Sequence, residues 1–160
     1  PILIKGNIRM GITFEVRRAD LNDLSQLAML FDKYRQFYKQ TPNLEGARAF
    51  IEDRIKANES AIFIVMDSSG RSVGFTQLFP MFSSVRMRSI WVLNDLFVLE
   101  EARKMGVAQK LIKAAEVWGQ SQGAVGLELA TARDNKTAKS VYDAMGWKIE
   151  LEFDHYSITL

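Results

Sequence analysis

Cysteine is absent from this 160-residue chain, and histidine occurs once, at His155. The first absence removes disulfide frameworks, thiolate metal sites and cysteine nucleophiles together. The second removes any histidine-rich metal centre, so no metal is expected. No apolar run reaches the roughly 18 residues of a membrane span, and no apolar stretch with a small-residue cleavage site marks a secretory leader. A cytoplasmic protein with no membrane partner is expected. Charge of one sign is also scarce: 21 lysines and arginines against 19 aspartates and glutamates leave a net charge of +2. That is too little to draw in a polyanion, and no nucleic-acid partner is expected. What is present is an ordinary globular composition with 48% hydrophobic residues, enough for one domain with a sizeable core over residues 1–160. Residues 1–9, PILIKGNIR, precede Met10 and are expected to be an upstream extension or a cloning remnant.

Periodicity supplies the element order. ITFEVRR alternates as a strand does, and Asp20 then offers a side-chain oxygen to cap a helix. Leu21, Leu24, Leu27, Ala28, Phe31, Tyr34 and Tyr38 recur at three and four, the spacing of one buried helical face, until QTPN interrupts it. Leu44, Ala47, Phe50, Ile51 and Ile55 repeat the pattern in a second helix. AIFIVMD and SVGFTQLFPMF, separated by SSGR, read as an antiparallel hairpin, and VRMRSIWVLNDLFVL as a central strand. A helix on Val107, Leu111, Ala115 and Trp118 follows. Then come a strand at VGLELAT, a helix on Ala138, Val141, Tyr142 and Met145 stopped by Gly146, and a closing pair, WKIELEF and HYSITL. The order β-α-α-β-β-β-α-β-α-β-β predicts an α/β fold with a mixed, mostly antiparallel twisted sheet flanked by helices.

ARKMGVAQK, at the junction of an apolar strand and a helix, is unusually short of side chain. The first N–H groups of a helix lack intrahelical partners, and the helix dipole adds positive potential there. Gly106 and Ala108 would let a pyrophosphate approach that backbone, with Arg103 or Lys104 adding charge. A plain turn is the other reading. Neither GxGxxG nor GxxxxGK[ST] occurs, which disfavours the ordinary nucleotide folds.

In context, LNDLFVLEEARKMGVAQKLI resembles the acetyl-CoA motif of the GNAT superfamily of N-acetyltransferases, a strand followed by [RQ]-x-x-G-x-[GA], here Arg103 to Ala108. A second stretch, ARDNKTAKSVYDAMGWK, carries Asn135, Ala138, Tyr142, Gly146 and Trp147 at the family's N-x-x-A-x-x-x-Y-x-x-x-G-[FW] spacing. The resemblance runs from Ile12 through Leu160. One departure is that many relatives place glycine directly after the arginine where this chain has Lys104, so a less tight first turn is expected.

The resemblance implies acetyl-CoA as cosubstrate. Backbone groups of Leu96, Phe97 and Val98 would bond the pantetheine amides. The amides of Lys104, Met105, Gly106, Val107, Ala108 and Gln109 would take the pyrophosphate, with Arg103 alongside. Asn135 would contact the pantetheine arm, cap its helix, or do both. Tyr142 occupies the family's general-acid position, against the reading of an ordinary packed tyrosine. Asp95 is the candidate to take the amine proton, or else a structural carboxylate. Polyamine acetyltransferases resembling this chain carry an acidic pair where it has Asn94 and Asp95, and Asn94 could position a water. Tyr34, Phe37 and Tyr38 lie where GNAT proteins form the acceptor site, or belong to the core. His155 receives no catalytic role. The expected activity is direct acetyl transfer to a primary amine of a small molecule, a polyamine, diamine or amino acid. The alternatives are a protein or peptide amine, and a catalytically silent acetyl-CoA-binding module. A homodimer through the last strands is expected.

Overall fold

The computed structural model describes residues 11–160, so the expected extension at residues 1–9 lies outside the described residues. The chain forms two compact units, one ending at Leu129 and the other comprising Ala130–Leu160.

In the first unit, β1 (Phe14–Arg18) leads to Asp20, whose side chain accepts from the Asn22 amide at 2.7 Å while Asp23 reciprocates to the Asp20 amide at 2.9 Å. This capping box fixes the entry to α1 (Leu24–Phe37) through a short turn at Leu21–Asp23. Asn43 caps α2 (Leu44–Lys56) with its side chain alone, accepting from the Gly46 amide at 2.9 Å. β2 (Ala61–Asp67), β3 (Ser72–Ser83) and β4 (Arg88–Val98) form a meander, and α3 (Val107–Ser121) returns the chain to β5 (Leu127–Glu128). The sheet order is β1-β2-β3-β4-β5, antiparallel except for the parallel β4–β5 pair.

Two neighbouring residues of β3 show how the layers lie. Successive strand residues point to opposite faces. Phe75 meets Phe31 and Tyr34 of α1 edge-on, whereas a Cβ on Gly74 would meet Leu111 and Val107 of α3. The helices α1 and α3 therefore cover opposite faces, and β3, buried from Ser72 to Leu78, runs through the core. A Cβ at Gly74 would also come within 2.9 Å of the Phe97 carbonyl oxygen. Glycine is what lets the start of α3 settle this close to the end of β4.

The second unit contains α4 (Lys136–Ala144), capped by Asn135 and ended at Gly146, whose φ is 86°. Among the described residues no helix is long and apolar enough to cross a membrane.

One part of the expected order differs. Residues 147–160 form no strand, and Leu151, Phe153, Tyr156 and Ile158 are exposed. WKIELEF does alternate, but alternation states a preference for a half-buried pleated surface and provides no edge to pair with. β5 was expected over VGLELAT, yet its ladder with β4 is two pairs long, Trp91 with Leu127 and Val92 with Glu128. An isolated hairpin is marginal in water.

Candidate active site

The short β5 leaves β4 from Leu93 to Val98 with a strand partner on the β3 side only, among the described residues. Within that stretch β4 carries one extra residue. Gln77 pairs with Asp95 and Leu78 with Leu93, so Asn94 bulges without a partner. In a regular strand Asn94 and Asp95 would point to opposite faces. The bulge brings both to one cleft of about 480 Å³.

Asp95 is 3% exposed and is held from three sides. Gln77 Nε2 donates to its Oδ2 at 2.6 Å, Asn94 Nδ2 donates to its Oδ1 at 2.9 Å, and Tyr34 hydrogen-bonds to its side chain. Ser60 Oγ donates to Gln77 Oε1 at 2.8 Å, which aims the amide nitrogen of Gln77 at the carboxylate. Burial pushes the Asp95 carboxyl above the ordinary carboxylate value, and the hydrogen bonds from Gln77, Asn94 and Tyr34 pull against that rise. Its donors are all uncharged groups. A carboxylate in such surroundings holds a proton more readily than one in water, as a base working near neutral pH requires.

The helical wall of the cleft is aromatic. Phe31 stacks on Phe50 with centroids 5.4 Å apart and on Tyr34 at 6.2 Å, and the Tyr34 hydroxyl reaches the Asn94 carbonyl at 3.3 Å. Of the three expected acceptor aromatics, only Tyr34 lines the cleft. Phe37 and Tyr38 are 56% and 46% exposed and pack edge-on against each other at 5.3 Å. Tyr38, one turn beyond Tyr34 at the cap of α1, packs edge-on against the Tyr34 ring at 5.1 Å without lining the cleft.

At the C-terminal end of β4 the chain turns into α3. Gly106, with φ 81°, stands at the N-cap position with no side chain capping the helix, and a Cβ built there meets nothing within 4 Å. The amides of Val107, Ala108 and Gln109 thus begin a helix that no side chain caps. Lys104 takes the left-handed conformation, φ 60°, which glycine adopts freely and other residues at a cost of about 1–2 kcal/mol. The turn expected to be less tight here keeps the conformation that favours glycine. Arg103 turns back: its Nε donates to the Val98 carbonyl at 2.9 Å and its guanidinium lies 5.9 Å from the Phe97 ring centroid. It braces the loop on the strand.

The sequence profile of the Acetyltransferase (GNAT) family matches residues 27–147. YhfO of Bacillus subtilis (strain 168), an uncharacterized N-acetyltransferase, is 41% identical over 145 residues, which are 91% of this chain and 97% of that protein. The chain belongs to the acetyltransferase (GNAT) family. Within the family, aminoglycoside N(6')-acetyltransferase type 1 of Salmonella typhimurium is 29% identical over 100 residues, 61% of this chain and 68% of that protein. Among solved structures, a probable acetyltransferase aligns with a TM-score of 0.86 at 37% identity over 91% of this chain and 97% of its own. An aminoglycoside N-acetyltransferase in complex with CoA aligns at 0.79 and 22% identity, over 96% and 99% of the two chains, a likeness of fold.

This GNAT chain carries its second motif on α4. Asn135 Oδ1 accepts from the Ala138 amide at 3.1 Å, so the capping role is realised. Tyr142 is half-buried, its ring 6.1 Å from that of Trp147, and no residue of α4 is fully buried. Sequence reasoning missed Gln77, Ser60, Phe79 and Arg35. Gln77 had a signal: a lone amide in the apolar run SVGFTQLFPMF requires a partner.

Proposed function

We propose that the protein transfers the acetyl group of acetyl-CoA directly to a primary amine of a small molecule, a polyamine, diamine or amino acid. The observation that carries this reading is the buried Asp95 carboxyl, its proton affinity raised by burial, on the wall of an aromatic cleft beside the open half of β4. In this reading the backbone of Leu96, Phe97 and Val98 takes the pantetheine as a further strand, and the amides from Lys104 to Gln109 take the pyrophosphate. The empty space where a Gly106 side chain would stand supports that fit. Asp95 removes the ammonium proton, directly or through a water held by Asn94. Tyr142 returns a proton to the departing thiolate, an assignment supported by the spacing from Asn135 along one short helix. With no cysteine in the chain to carry an acetyl group, direct attack within a ternary complex is the simpler route.

Free-thiol release from acetyl-CoA should depend on added small amines. Turnover of lysine-bearing peptides in their place would overturn the small-molecule reading. Tyr142→Phe keeps the ring and removes only the hydroxyl, so kcat should fall about tenfold or more with acetyl-CoA affinity unchanged. An unchanged rate, where chemistry limits turnover, would return Tyr142 to a packing role.

A further inference from the structure

The names of several relatives point to polycationic aminoglycosides, but the charges in this cleft do not suit such an acceptor. Of the side chains lining it, Asp95 is the one carboxylic acid and Arg35 the one basic group. A substrate with several ammonium groups would meet one buried carboxyl and one guanidinium, with no second acid to take a second cation.

Arg35 is itself poised for an anion. Its Nη1 donates to Asp32 Oδ1 at 2.8 Å and to the Thr41 carbonyl at 3.3 Å, which anchors the group. Asp32 does not depend on Arg35 alone. It also accepts from Gln36 Nε2 at 3.1 Å and from the Asn43 amide at 3.0 Å. The Nε and Nη2 groups of Arg35 have no hydrogen-bond partner among the described residues, and the side chain is 26% exposed. A guanidinium anchored at one nitrogen, with two more N–H edges available, has the geometry for a second carboxylate. The first turn of α2, through Gly46 and Ala47, lies on the same wall and adds the positive end of its dipole. The positive groups thus belong to the helices, the proton acceptor belongs to β4, and Phe31, Tyr34 and Phe50 form an apolar surface on the helical side.

Resting on the acetyl-transfer reading of this same cleft, we infer that the acceptor is a monoamine joining an apolar, flat body to a carboxylate, as in an aromatic α-amino acid, and that Arg35 selects it by pairing with that carboxylate. The amine then faces Asp95 while the acid group is held at the α1–α2 wall and the body lies on the aromatic stack.

The test compares kcat/KM for L-phenylalanine, phenethylamine, spermidine and kanamycin. Phenylalanine should exceed phenethylamine, which lacks only the carboxylate, by roughly 10- to 100-fold, the worth of a charged hydrogen-bonded pair. The two polycations should rank below both. Arg35→Gln should collapse the phenylalanine-to-phenethylamine ratio toward one, chiefly through KM, and Arg35→Lys should restore part of it. A preference for spermidine or kanamycin overturns the inference, as does an Arg35→Gln loss that is equal for both arylalkyl amines, since that would mark a structural role through Asp32. If no amine is acetylated, the enzymatic reading fails, and melting curves with phenylalanine and CoA still decide the subsite. A shift that Arg35→Gln removes upholds it, and no shift in the wild type overturns it.

Discussion

Asp95→Asn is expected to lower kcat by about 10²–10⁴ near neutral pH, the range that a positioned general base contributes. The exchange is nearly isosteric, and the network can absorb it. Ser60 and Gln77 form a chain in which a hydroxyl meets an amide at 2.8 Å. Rotating both groups would let Gln77 accept from the new amide where it now donates at 2.6 Å. Acetyl-CoA affinity should therefore persist. The pH profile carries the sharper signature. The wild-type rate should rise with pH as Asp95 ionises, and because burial raises its proton affinity, that limb should lie above the ordinary aspartate value of about 3.9. The variant has no such limb and gains rate only as the amine itself deprotonates, toward about 10.4 for a lysine-like amine. The gap between the two enzymes should thus be widest between these limits and close at high pH. A loss of equal size at every pH, accompanied by a lower melting temperature, would make Asp95 structural.

The same shift has a consequence for stability. The native state binds the Asp95 proton more tightly than the unfolded chain does. The stabilisation from that proton is complete below about pH 3.9 and is lost as pH rises through the raised native value. Melting of Asp95→Asn compared with wild type should therefore shift in favour of the variant with rising pH across that window.

Gly106→Val is expected to abolish acetyl-CoA binding. Saturating ligand at 100 times its dissociation constant should stabilise the wild type by about 2.7 kcal/mol, and the variant should show none of this. Two effects combine. At φ 81° a β-branched residue is strained, and its side chain would occupy the space that is now empty beside the first amides of α3. Gly106→Asn separates them, because asparagine tolerates left-handed backbone yet still fills the space. It should fold with near-native stability and lose most of the acetyl-CoA shift. If it binds acetyl-CoA as the wild type does, the loop is a turn and nothing more.

How far the site could be read from the sequence depended on the range of the interactions that build it. The helix starts at Asp20, Asn43 and Asn135, the left-handed stop at Gly146 and the bare start of α3 at Gly106 are set within a few residues of chain. Local chemistry sufficed for them, and the two motifs were legible for the same reason. Tyr34, Phe37 and Tyr38 were not separable on that basis. They lie within about one turn of one another, and only the place where α1 crosses β3 and β4 puts Tyr34 in the cleft and leaves the other two outside its lining.

By itself, then, the sequence determined the element order through α4, the capped helices, the glycine-bearing loop and the membership of the family, all carried by periodicity and short-range spacing. The tertiary structure decided that Asn94 and Asp95 share a face, because a bulge is a property of two paired strands and neither strand specifies it alone. It decided that Asp95 is desolvated, since its surroundings come from α1 and β3 as well as β4. It also decided that residues 147–160 form no strands despite their alternation, because a strand exists only where another edge offers it hydrogen bonds.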